Sequence, residues 1–217
     1  MDQIRTLLDR PKLYNNIDGV GELGASILCL GYSLILLLIM RSPAESVWHR
    51  SSFLFFVGML LLIHYGTKAV KTRITYPRTG FVEHRKQWRT AAIGAGVGAL
   101  ATFALTVVFR RRWDNSMLAS LGWVVLATGY GYNAAKALRW KWFIAGAMAV
   151  ASLVITFLPV NFVRAVGREF PARPDQAKFL GTILLSAMVY GALLMISGGI
   201  SFWLYLRHTR PPAQEGQ

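Results

Sequence analysis

Apolar residues along this chain do not alternate with polar ones. They gather into six runs, at 21–40, 51–70, 90–109, 117–135, 142–160 and 179–206. Each approaches the length of about 20 residues that a helix needs to cross a bilayer core roughly 30 Å thick. Helices satisfy their own backbone hydrogen bonds, which hydrocarbon demands of a spanning segment. The pattern predicts an all-α integral membrane protein, a six-helix transmembrane bundle over 21–208. The last run is long enough to tilt or to project from the bilayer.

Ahead of the first run, residues 1–20 are polar with an apolar stripe at Ile4, Leu7, Leu8, Leu13, Tyr14 and Ile17. That spacing suits an amphipathic segment lying in the membrane interface. Asp2, Asp9 and Asp18, with no small-residue cleavage site, set it apart from a cleaved signal peptide. The tail 209–217 carries Pro211 and Pro212 and is expected to be disordered.

Composition agrees with the pattern: 54% of residues are hydrophobic and 16% charged, and the mean hydropathy is +0.40. The net charge of +14 raises the question of nucleic acid. The basic residues sit at the ends of apolar runs, however, where they set topology and meet anionic headgroups. With six spans both termini share a side, and that side carries 15 of the 24 Lys and Arg residues. The positive-inside rule places it in the cytoplasm. Arg110, Arg111 and Arg112, on the other side, pull against this orientation.

Close helix contact in lipid requires small residues. Ala91, Ala95 and Ala99 form one stripe of the third run and Gly94 and Gly98 the next, which predicts a central position. Ser197-Gly198-Gly199 is an expected bend in the sixth.

Candidate chemistry is sparse. Runs three to six contain no Asp, Glu, His, Lys or Arg, and Glu22 opens the first run as the single acidic candidate. Counted by level, Glu22 starts where the second run ends with His64 and Lys68 and the fourth with Asn133 and Lys136. These five residues could form a site for a headgroup, an anion or a proton. They could equally be one ion pair flanked by lysines snorkelling to the interface. Only His64 lies within a run, so no histidine pair is available for haem. The single cysteine, Cys29, and the absence of an HExxH motif offer no metal site. No cofactor is expected.

The connector 71–89 is the one polar stretch with turn chemistry of its own. Segments 73–76 and 81–84 are rich in β-formers, and Pro77-Arg78-Thr79-Gly80 between them suits a tight turn. This predicts a short cytoplasmic β-hairpin between the second and third helices. Its Arg73, Arg78, Arg85, Lys86 and Arg89 would meet phosphates, at about 1 kcal/mol per basic residue near an anionic surface. The string Tyr76-Pro77-Arg78-Thr79-Gly80-Phe81-Val82, continuing to Arg85, resembles the Y-P-R-T-G-[YF]-V-x-x-R signature of a family of bacterial multi-spanning membrane proteins. The resemblance covers about ten residues and the general layout of helices around them. It implies a bacterial inner membrane and brings no activity with it.

Three functions fit these observations. The first is a non-enzymatic scaffold, sensor or accessory subunit, whose basic hairpin (Tyr76, Arg78, Thr79, Gly80, Arg85) engages lipid headgroups or a protein partner. The second is a small transporter or channel, formed within the bundle or in an oligomer. The third is a membrane-embedded enzyme acting on a lipid headgroup, with His64 or Glu22 as acid or base.

Overall fold

The computed structural model describes residues 18–41, 47–75, 115–134, 138–158 and 174–209. They form five α-helices: α1 (Val20–Arg41), α2 (Val47–Val70), α3 (Asn115–Ala134), α4 (Lys141–Phe157) and α5 (Pro174–His208). These correspond to apolar runs one, two, four, five and six. Among the described residues three helices are long and apolar enough to cross a membrane, over Val20–Leu38, Leu54–Thr75 and Lys178–His208.

The expected six-helix bundle with a β-hairpin is therefore corrected to an all-helical chain with five helices and no strand among the described residues. The third run and most of the hairpin lie outside the described residues. Of the hairpin's expected first strand, at 73–76, residues 73–75 are described and are not a strand: α2 continues as a π-helical turn over Lys71–Thr75. The β-formers Ile74 and Thr75 are held in that turn by tertiary contacts, since the Thr75 hydroxyl donates to Asp18 and its carbonyl accepts from Tyr205. Of the expected interfacial segment 1–20, the described residues Asp18, Gly19 and Val20 are buried in the bundle.

Local signals account for the helix limits. Asp18 Oδ1 accepts the Val20 N–H at 3.2 Å and so covers one of the unpaired donors at the start of α1. Pro174 opens α5, where its missing N–H costs nothing. Pro159 follows Leu158 in the sequence. The residue before a proline is pushed out of the helical region, and Leu158 has ψ 142°. Helix α4 thus ends at Phe157, short of the expected 160. Through Ser197-Gly198-Gly199, where a bend was expected, α5 runs on as one 35-residue helix.

The helices fall into two packing units. In one, α1 lies antiparallel against α5 and is flanked by α2. In the other, α3 and α4 form a pair, and this pair meets the first unit along α5. Small residues make the contacts close. A Cβ on Gly198 would stand 2.9 Å from the Leu23 backbone nitrogen, and one on Gly191 would stand 3.2 Å from that of Leu30. Gly24 faces Ile63 and Thr67 across the α1–α2 seam, and Gly131 faces Ala145 and Trp142 across the α3–α4 seam. Ala127, Met148, Tyr190 and Leu194 form the core between the units, with Trp123, Tyr130 and Cys29 packed against it.

Candidate functional site: a charged cavity between the helix units

The start of α1 brings Glu22, in its first turn, and Asp18, just before it, to the level where α2 and α3 end and α4 begins. Two networks of polar side chains form there. In the first, Glu22 Oε1 receives the Lys141 ammonium and Glu22 Oε2 receives the Ser197 hydroxyl at 2.6 Å. Tyr130 Oη lies 2.8 Å from Ser197 Oγ. A serine hydroxyl has one proton, and Ser197 gives it to Glu22, so Tyr130 donates to Ser197. Helices α1, α3, α4 and α5 are joined through this one carboxylate.

In the second network, Asp18 accepts from Val20 N–H and from Thr75 Oγ1 at 3.1 Å, with Lys71 Nζ at 3.7 Å. Tyr205 Oη donates to the Thr75 carbonyl at 3.0 Å. This network ties the entrance of α1 to the ends of α2 and α5. Asp18 precedes the spanning segment of α1, and its burial raises its pKa above the ordinary 3.8. The Lys71 ammonium, the Val20 N–H, the Thr75 hydroxyl and Lys141 pull the other way and are outweighed.

A pH dependence follows. Folded Asp18 holds its proton more tightly than unfolded Asp18, so its stabilising contribution is complete below about pH 3.8 and is lost as the pH rises beyond it. The melting temperature of the wild type minus that of Asp18→Asn is expected to fall between pH 4 and pH 7. A difference that rises over this range would show that the Lys71 pairing outweighs burial.

Between the networks lies a cavity of about 350 Å³. Asp18, Glu22 and Lys71 line its charged part, and Ala25, Cys29, Trp123, Leu126, Met148, Tyr190 and Leu194 are among its other walls. Cys29, Met148 and Tyr190 each lie seven residues along their helices from Glu22, Lys141 and Ser197 respectively. At 1.5 Å per residue the apolar part reaches about 10 Å deeper than the charged part. Tyr190 is fixed by a 2.6 Å bond to the Trp123 carbonyl and a 2.9 Å bond from Ser152, and its ring meets Trp123 edge-on at 4.7 Å.

Of the candidates named from sequence, Glu22 is in this cavity. His64 and Lys68 are exposed on α2, and the His64 ring meets Tyr65 edge-on. Asn133 lies in the last turn of α3, its side chain outside the described residues. Tyr76, Arg78, Thr79, Gly80, Arg85 and Lys136 also lie outside them.

Lys141, Asp18, Lys71, Ser197 and Tyr130 were not among the site candidates named from sequence. The signal for Lys141 was present: it starts the buried stripe Lys141, Ala145, Met148, Ser152, Ile155, which follows helical periodicity. Counting it with the connector concealed that. The described residues contain no group of three or more His, Cys, Asp or Glu able to hold a metal ion. Comparison of the chain with protein-family models, curated proteins and solved structures gives no match.

Proposed function

We propose that this chain is a non-enzymatic, multi-spanning protein of a bacterial inner membrane, with both termini cytoplasmic, that holds an amphiphilic molecule of the membrane between its two helix units. The observation that carries this reading is the polarity gradient of the cavity. Its charged part sits at helix ends, the level at which headgroups lie. Its apolar part extends into the bundle towards the bilayer interior. A site of this size with mainly apolar walls and a few convergent polar groups is the usual form of a small-molecule site. The excess of Lys and Arg on the side carrying both termini and the resemblance of 76–85 to the bacterial signature support the location.

Filling the cavity tests this. Leu194 lines it and is buried, and Leu194→Trp is expected to occupy its apolar part. Protein purified in mild detergent should then lose lipid adducts in native mass spectrometry that the wild type retains. Overpacking should lower stability by no more than about 1–3 kcal/mol. Equal lipid retention by a folded Leu194→Trp protein would overturn the reading.

A further inference from the structure

The two ion pairs present their charges to the cavity in opposite senses. In one, Lys141 is completely buried while the Glu22 side chain keeps 11% exposure. In the other, Asp18 is 1% exposed and Lys71 14%. Asp18, Glu22 and Lys71 line the cavity and Lys141 does not, but Asp18 turns almost none of its side chain to it. Each accessible charge is therefore backed by a buried counter-charge: of the two carboxylates in the lining Glu22 is the more exposed, Lys71 is the ammonium, and the two pairs together carry no net charge.

A ligand carrying a single charge gains little here. An anion at Lys71 would compete with Asp18, and a cation at Glu22 would compete with Lys141. A headgroup with both signs suits the arrangement, because its cation can approach Glu22 while its anion approaches Lys71, and neither buried pair has to separate. A carboxylate has about four accepting positions; Glu22 receives Lys141 on one oxygen and Ser197 on the other, which leaves capacity for a further donor. An ammonium with N–H donors can use that capacity, whereas a quaternary ammonium has none to give.

From this geometry we infer that the cavity between Glu22 and Lys71 takes the zwitterionic headgroup of an ethanolamine-type phospholipid, the ammonium at Glu22 and the phosphate at Lys71. The inference rests on the amphiphile reading above and adds the headgroup class. At about 350 Å³ the cavity takes the headgroup and the first part of a chain, the remainder staying in the bilayer.

The test uses the full chain in detergent and follows Trp fluorescence on titration with four short-chain probes. These are dihexanoyl phosphatidylethanolamine, the phosphatidylcholine and phosphatidylglycerol of the same chains, and hexylamine. The wild type should bind the ethanolamine lipid at least ten-fold more tightly than the other three. Lys71→Gln should bring the affinities for the ethanolamine lipid and hexylamine together. Glu22→Gln should bring those for the ethanolamine lipid and phosphatidylglycerol together. Where Glu22→Gln alone does not fold, the Glu22→Gln, Lys141→Met pair replaces it, since it removes the buried charge as well.

Equal wild-type affinities, or a preference for the anionic or cationic probe, would overturn the headgroup class. The amphiphile reading would survive that result provided Leu194→Trp abolishes the binding. Equal affinity for chain-free glycerophosphoethanolamine would move the ligand into solution and overturn the lipid assignment. No binding of any probe would defeat both readings.

Discussion

Glu22→Ala is expected to destabilise the protein by about 3–5 kcal/mol, the usual consequence of removing one member of a buried ion pair. Lys141 is completely buried at the first residue of α4 and faces the Glu22 carboxylate. Removing that carboxylate also takes away the acceptor of the Ser197 hydroxyl, and with it the order of the Tyr130–Ser197 bond. The double change Glu22→Ala, Lys141→Met should recover most of the loss, because an apolar side chain of similar length needs no counter-charge. Equilibrium unfolding in mixed micelles measures both. A single variant as stable as the wild type would show that other neighbours of Lys141, Asp18 among them, compensate its charge without Glu22.

The second large effect distinguishes two neighbouring glycines. Gly198→Ala places a methyl group 2.9 Å from the Leu23 backbone nitrogen and 3.0 Å from the Gly19 carbonyl oxygen. Backbone on the facing helix cannot rotate aside as a side chain can, so α1 and α5 must separate. A loss of about 1–3 kcal/mol is expected, in the range of overpacking in a filled core. The adjacent Gly199 meets nothing within 4 Å. Gly199→Ala should leave stability unchanged or raise it by about 0.5–1 kcal/mol through helix propensity. Gly19 on the other side of the contact has φ +69°, a left-handed conformation that suits glycine. Thermal unfolding of the Gly198 and Gly199 variants in one detergent decides the matter, and similar melting temperatures for the two would refute the close approach.

The positions of all five described helices were legible because length and apolarity, which a membrane demands of a spanning helix, are carried by the local sequence alone. The five-residue level named from sequence contained Glu22 because alternating helices bring fixed ends to one side. Which face each helix turns inward is a tertiary matter. His64 and Lys68 are exposed on α2 while Lys71, three residues beyond Lys68, reaches Asp18. The same holds for 73–75, where β-propensity gave way to a helical extension fixed by Asp18 and Tyr205. The stripe Thr182, Ser186, Tyr190, Leu194, Ser197, Ser201, Tyr205, all buried along α5, was readable at helical spacing, but its mixture of hydroxyls and apolar residues hid it from a search for either class.

The two carboxylates also differ in when their partners are made. Synthesis proceeds from the N-terminus, and Asp18 meets Lys71 and Thr75 within 57 residues. The α1–α2 pair therefore carries its own charge compensation as soon as both helices have left the ribosome. Glu22 has no such early partner among its described contacts: Lys141 comes 119 residues later and Ser197 175 residues later. Among its described contacts, the Glu22 carboxylate of helix α1 is compensated by helices translated later. The first helix thus takes its described partners from the later ones, and the cavity beside Glu22 gains its Tyr190 and Leu194 wall only when α5 arrives.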